Sequence, residues 1–180
     1  MLFAKIRNNP YTPYVINALT WIPVAIFFVD HGYSYAAIDG RSMQPTFNPD
    51  SNKLSRDIVL LEKWSLRKDG FERGQVVTLR SPIEPNKILT KRIIALPGDT
   101  VKPLRRNEEI AVPAGHVWVE GDEAFHSKDS NSFGTVPIGL ITAKVTRIIY
   151  PFNRFGIVEK KTVGKERVKI HVFNPRVMDP

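Results

Sequence analysis

The stretch Ile88-Leu89-Thr90-Lys91-Arg92-Ile93-Ile94-Ala95-Leu96, closed by Pro97-Gly98-Asp99, decides the fold. It is an apolar, β-branched run of strand length that stops at a turn triplet. On either side lie runs of the same texture: residues 57–63 (DIVLLEK), 74–80 (GQVVTLR), 116–120 (HVWVE), 140–150 (LITAKVTRIIY) and 167–173 (RVKIHVF). Glycine and proline clusters separate them, and 14 prolines with 11 glycines in 180 residues argue against a helix bundle. The reading is a mainly antiparallel β domain. A chain of this length with 42% hydrophobic residues has enough apolar material for one core.

Residues two apart in a strand share a face, so Leu89, Lys91, Ile93 and Ala95 line one side and Thr90, Arg92 and Ile94 the other. A lysine in an apolar row loses hydration, which lowers its pKa from about 10.4 toward about 7–8 and lets it take a serine proton. On its own, such a lysine is more often an edge-strand residue reaching for water.

The N-terminal end has a different texture. Residues 8–29 carry no charge, with Lys5 and Arg7 before them and Asp30 after. The most apolar part, residues 14–29, makes about 24 Å of helix against a hydrocarbon core of about 30 Å, and Asn17 and Pro23 weaken it. Continuation of the helix through residues 33–37 supplies the missing length. Three readings stand side by side: a single membrane anchor, a cleavable leader (Lys5 and Arg7, an apolar run, then Ser34-x-Ala36), or a buried or interfacial helix. For an anchor, the positive-inside tendency keeps Lys5 and Arg7 on the near side and sends the larger domain across. The expected organisation is an N-terminal segment (1–13), an anchor (14–37), a β-rich domain (38–156) and a basic C-terminal strand or tail (157–180).

The net charge of +8 raises nucleic acid as a partner, yet the cations are dispersed. Their densest cluster is Lys160, Lys161, Lys165, Arg167 and Lys169, without a zinc-finger spacing or an aromatic RNA-binding motif, so no nucleic-acid partner is expected. With no cysteine, and with His31, His116, His126 and His171 unpaired in metal-binding spacing, neither a metal nor a cofactor is expected.

Two further segments carry polar chemistry. Asp39-Gly40-Arg41-Ser42-Met43-Gln44-Pro45-Thr46-Phe47 sets a serine between a flexible glycine and a rigid proline, which by itself usually marks a turn. Residues 121–134 (GDEAFHSKDSNSFG) form a Gly-bounded polar loop whose carboxylates and hydroxyls can orient a base.

Together the three segments resemble the type I signal peptidase family, in that family's order, over residues 39–139. The boxes are Ser42-Met43-Gln44-Pro45; Lys91-Arg92-Ile93-Ile94-Ala95-Leu96-Pro97-Gly98-Asp99; and Gly121-Asp122 through Ser127, Asp129, Ser130 and Gly134. The resemblance implies a signal-peptidase-like antiparallel β catalytic domain preceded by one N-terminal transmembrane helix, and cleavage of leader peptides after small residues. By matching position it implies Ser42 as nucleophile, Lys91 as general base, Ser127 positioning the lysine and Asp129 supporting the site. Met43 would shape the pocket for the residue before the cut, and the Ser42 backbone N–H would contribute to the oxyanion hole.

The chain departs from the pattern at three places. Gly40 stands where many members have a hydroxyl that serves the oxyanion. Glu123 replaces a frequent asparagine, and Asn131 replaces a frequent arginine that would pair with Asp129. Within the family, the short chain, the glycine before x-Ser-Met and the run His-Ser-x-Asp-Ser-Asn look most like the mitochondrial inner-membrane branch, its subunit 2 in particular. That likeness implies a single-pass protein in membrane lipid, a catalytic domain in the intermembrane space, a partner catalytic subunit, and precursor proteins with cleavable sorting signals as substrates. The alternatives are a non-catalytic assembly subunit and a self-cleaving Ser/Lys repressor. The repressor needs a helix-turn-helix where this chain has its apolar segment.

Overall fold

The computed structural model describes residues 10–49, 56–68, 70–104, 106–161 and 166–170. Helix α1 (Thr12–His31) leads into β1 (Tyr33–Ala37), β2 (Ile58–Glu62), a short α2 (Ser65–Lys68), β3 (Val76–Arg80) and β4 (Ile88–Ala95). Then follow β5 (Thr100–Val101), β6 (Ile110–Ala111), β7 (His116–Glu120), α3 (Ser130–Phe133), β8 (Val136–Pro137), β9 (Ile141–Tyr150), β10 (Gly156–Ile157) and β11 (Val168–Lys169). The main sheet runs β1-β2-β9-β3-β4-β7-β8, with β10 added to β9, and β11-β5-β6 form a small second sheet. Every pairing is antiparallel, as expected from the run of short strands.

Helix α1 is 20 residues long and wholly unburied, and by length and composition it is apolar enough to cross a membrane. At about 1.5 Å per residue it reaches about 30 Å. The length comes from a start at Thr12, and not from an extension through residue 37. Residues 33–37, assigned above to the anchor, are an edge strand in register with β2 from Tyr33↔Glu62 to Ala37↔Ile58. The helix stops at Gly32, whose N–H caps the Phe28 carbonyl, and Tyr33, Ser34 and Tyr35 then favour the extended chain. Residues 1–9, with Lys5 and Arg7, and residues 171–180 of the C-terminal segment lie outside the described residues. Of the strand expected over 167–173, the described part is β11.

Three apolar clusters follow from strand alternation. Val76 packs with Ile38, Met43, Phe47, Val59 and Val145, whereas its neighbour Val77 packs with Leu79, Ile93, Val117 and Val119. Trp118, Val101, Val112 and Val168 join the two sheets. Leu89 and Ile93 share one cluster on the side expected for Lys91. Ala95 does not join them. A register shift between Ile93 and Ala95 turns it into the Trp118 cluster beside Ile94, because an extra residue in a strand reverses the alternation beyond it.

Arg92 is the largest polar group in this interior. It is 2% exposed, forms a two-pronged ion pair with Asp122 (2.7 Å each) and donates to the carbonyls of Gly74 (2.6 Å) and Glu159 (2.9 Å). These bonds tie β4, the β7 exit, the β3 entry and the C-terminal segment together. Breaking a buried pair strands a charge in a medium that solvates it poorly. Asp122→Ala should therefore cost about 3–5 kcal/mol, read as a lower midpoint in chemical unfolding of the detergent-solubilised protein; an unchanged midpoint would remove Arg92 from the core account.

Candidate active site

The chain leaves β1 at Ala37 and makes an excursion over residues 38–48 before β2. Ile38 N–H bonds the Asp57 carbonyl (2.8 Å), and Gln44 and Phe47 N–H groups close two turns on Arg41 and Met43 (2.9 and 3.0 Å). Met43 and Phe47 are buried in the first cluster, which pins the loop on both sides of Ser42 and leaves the serine half-buried at its crest. Gly40 has φ +86°, a conformation that costs any residue with a Cβ, although a Cβ there would meet nothing within 4 Å.

Asn48 locks the far end of the excursion. Its Nδ2 donates to the Ile38 carbonyl, its Oδ1 accepts from Asp57 N–H, and its own N–H donates to the Asp57 carboxylate, all at 2.8 Å. Its φ of +49° suits asparagine better than a bulkier residue. Arg154 pairs with Asp57 and donates to the Thr46 carbonyl (2.8 Å). None of these partners was legible in the sequence, because Asp57 and Arg154 reach their loop partners Asn48 and Thr46 from 9 and 108 positions away.

Lys91 lies in the middle of β4 opposite Val77 and is 2% exposed. Burial pushes its pKa down from 10.5 to about 8, against the opposing pull of the Asp129 and Asp122 charges, and Lys87 adds to the fall. Among the described residues its ammonium makes no hydrogen bond or ion pair. Lys91, Ser42, Met43 and Gly40 line one open cleft of about 790 Å³, bounded by β1 residues Ser34 and Ala36 on one side and Ile88–Thr90 of β4 on the other.

The third segment docks on the first. Glu123 N–H donates to the Ser42 carbonyl (3.1 Å). Gly121 lies so near that an added Cβ would overlap the Ser42 carbonyl oxygen and the Ser127 hydroxyl. Ser127 is buried, and its Oγ is an unpartnered buried side-chain polar atom among the described residues. Asp129 caps α3 through Asn131 N–H (3.1 Å) and accepts from Gly121 N–H (3.0 Å), so it holds the glycine in place.

The arginine expected to pair with Asp129 has a substitute. Asn131 Nδ2 bridges Asp129 and Glu120 (3.1 Å each), and Glu120 pairs with Arg167 (2.7 Å) and accepts from Trp118 Nε1 (2.9 Å). A cation from the C-terminal strand thus feeds the same carboxylate network through an amide. Glu123, the other departure, pairs with His126 (2.6 Å), which lines the cleft. Sequence reading named Arg92, Asp122, Thr46 and Arg167 but missed how they pair, and it missed Asn48, Asp57 and Arg154 altogether; the one local signal was an arginine next to a lysine inside an apolar strand.

The family described as signal peptidase, peptidase S26, matches residues 12–110 and 102–150. The mitochondrial inner membrane protease subunit 2 of Schizosaccharomyces pombe is 48% identical over 156 residues, covering 86% of this chain and 85% of its own length. Subunit 1 of the mitochondrial inner membrane protease of Mus musculus is 35% identical over 130 residues, covering 70% and 75%. Among solved structures, a signal peptidase I from Enterococcus faecalis aligns with a TM-score of 0.36 at 22% identity, over 42% of this chain and 97% of that one.

Two outcomes are expected from this geometry. Gly121→Ala should displace the Ser42 carbonyl, destabilise the fold by about 1–3 kcal/mol and lower peptide cleavage by the protein that remains folded about 100-fold; near-normal cleavage would show that the contact is not needed. The second concerns Lys91. The unfolded chain keeps its proton to about pH 10.5 and the folded one gives it up near 8, so folding is helped as pH rises through that window. Lys91→Met should therefore gain stability over the parent near pH 7 and lose that advantage by about pH 10.5, compared by thermal melts across that range.

Proposed function

We propose that this chain, which belongs to the signal peptidase family (peptidase S26), is a membrane-anchored serine endopeptidase with Ser42 as nucleophile and Lys91 as general base. The observation that carries the reading is a buried lysine, making no ion pair among the described residues and with its pKa lowered by burial to about 8, in the wall of the cleft that Ser42 also lines. A serine hydroxyl is a weak nucleophile until a nearby base takes its proton, and a desolvated amine can do so at neutral pH.

Ser42 Oγ attacks the scissile carbonyl carbon as its proton passes to Lys91 Nζ. Lys91 returns that proton to the amine nitrogen as the C–N bond breaks, leaving an acyl ester on Ser42. The neutral lysine then takes a proton from water, the hydroxide attacks the ester, and Ser42 recovers its hydrogen. The Ser42 backbone N–H is the proposed oxyanion donor, worth about 3 kcal/mol. Gly40 offers no side-chain donor. The free hydroxyl of Ser127 is suited to accept from or donate to Lys91 and hold it in line, while Asp129 keeps Gly121 tight against the nucleophile loop. Met43 supplies an apolar floor to the cleft.

The names of the relatives and the exposed apolar helix support a mitochondrial inner membrane location with α1 as the anchor; on this proposal the β domain lies in the intermembrane space. Substrates are then precursor proteins with cleavable sorting signals, and the working form pairs this chain with a second, related catalytic subunit. A non-catalytic subunit is the competing reading, favoured by the missing hydroxyl at Gly40.

The test is cleavage of a leader-peptide substrate in membranes that hold any natural partner. Ser42→Ala, Lys91→Met and Lys91→Arg should each lower the rate at least about 1000-fold at unchanged protein level. The wild-type rate should rise about tenfold per pH unit up to about pH 8 and then level, because only the neutral amine accepts a proton. Full cleavage by Ser42→Ala, or a flat profile, would transfer the chemistry to another subunit.

A further inference from the structure

The C-terminal end of β9 and the turn beyond it carry large apolar side chains with no core to bury them. Phe152 is 82% exposed and Ile157 71%, and Tyr150 and Phe155 stand beside them in sequence and largely open. Tyr150 and Phe152 pack edge to face at 5.8 Å, so the two rings form one ridge and not two scattered residues. A contiguous exposed apolar patch marks a membrane or protein contact far more often than a solvated face.

The position of the ridge favours protein over lipid. Thr142, near the start of β9, lines a cavity together with Phe27, Asp30 and His31 from the end of α1. On the same side, Lys63 N–H bonds the Gly32 carbonyl at the helix exit. Tyr150 is eight residues further along the same strand, or about 25 Å at about 3.3 Å per residue. Its partner in β2 is Ile58, the end of that strand remote from Lys63. The ridge is therefore at the end of the sheet remote from the helix exit, a position that suits a protein partner better than the bilayer that the helix would enter.

The ridge is also wired to the nucleophile loop. Arg154, between Phe152 and Phe155, pairs with Asp57 and donates to the Thr46 carbonyl four residues past Ser42. A partner pressing on the ridge presses on the residue that holds this loop. Opposite Ile157 across the β9–β10 pair stands Arg147, exposed and without an ion pair among the described residues. The complementary surface is thus apolar with a carboxylate at its edge.

We propose that the ridge of Tyr150, Phe152, Phe155 and Ile157 is the docking surface for the second, homologous peptidase subunit, and that docking braces the Ser42 loop through Arg154. The inference rests on the two-subunit reading above, and the experiment separates the two. Full-length tagged chain is purified from its own membranes in mild detergent, and the subunit 1-type homologue of the same cells is quantified with it. Phe152→Glu and, separately, Ile157→Glu should lower the co-purified homologue at least tenfold and reduce cleavage in parallel, at unchanged level and membrane anchoring. Ile83→Glu, an equally open apolar residue on the β3–β4 turn, should leave both unchanged. A photo-crosslinking phenylalanine analogue at position 152, with the rest of the ridge intact, should trap that homologue. If wild-type chain carries the homologue and the Glu variants carry it equally, or if the crosslink goes to lipid, the docking surface is wrong while the two-subunit reading stands. If wild-type chain carries no homologue, both fall.

Discussion

Two cations sit side by side on β4, both nearly sealed from water, and the interior treats them in opposite ways. Arg92 is met by the Asp122 carboxylate and by two carbonyls, so its charge is spread over partners it can hold in a fixed geometry. Lys91 is met by apolar strand and cleft, so its charge is the part that yields. Strand alternation is what sorts them: a one-residue step turns one toward the carboxylate and the other toward the cleft. An arginine in the Lys91 position could not give up its proton, and a lysine in the Arg92 position could not reach three elements at once. The pairing that ties the junction together and the lowered pKa in the cleft therefore come from the same strand.

The serine half of the site is built on a different principle. Its loop is neither helix nor strand, so its backbone groups have to find partners one by one. They find them in Asn48, Asp57 and Arg154 on one side and in Glu123 on the other, while Met43 and Phe47 fix the loop to the core. Gly121 allows the third segment to approach closer than any side chain would permit. Ser127 is the exception in this well-satisfied region. Among the described residues its buried hydroxyl lacks a partner, an arrangement that costs about 1–3 kcal/mol.

Substitution at the edges of the site was absorbed by rearranging charge over longer distances. With asparagine after Asp129-Ser130, the cation of this network is Arg167 in the turn before β11, and the amide of Asn131 links Asp129 to it through Glu120. That links the small sheet to the site and gives part of the basic C-terminal segment a structural role.

Much of this was present in the sequence. Short β-branched runs between turn residues are a local property, and so the strands at 57–63, 74–80, 88–96, 116–120 and 140–150 emerged close to β2, β3, β4, β7 and β9. The three boxes around Ser42, Lys91 and Gly121 were legible for the same reason, since spacing within each box is short. The anchor was legible in kind but not in extent: hydropathy continues past Gly32, and only pairing with β2 decides that residues 33–37 are a strand. Likewise, alternation placed Lys91 with Leu89 and Ile93, but not Ala95 in a different cluster, because a bulge depends on the partner strand. Sequence alone determined which residues are apolar, which can titrate and where the chain can turn. Tertiary structure alone decided which cation is paired and which is left to lose its proton, because desolvation and ion pairing depend on groups brought together from tens of residues apart.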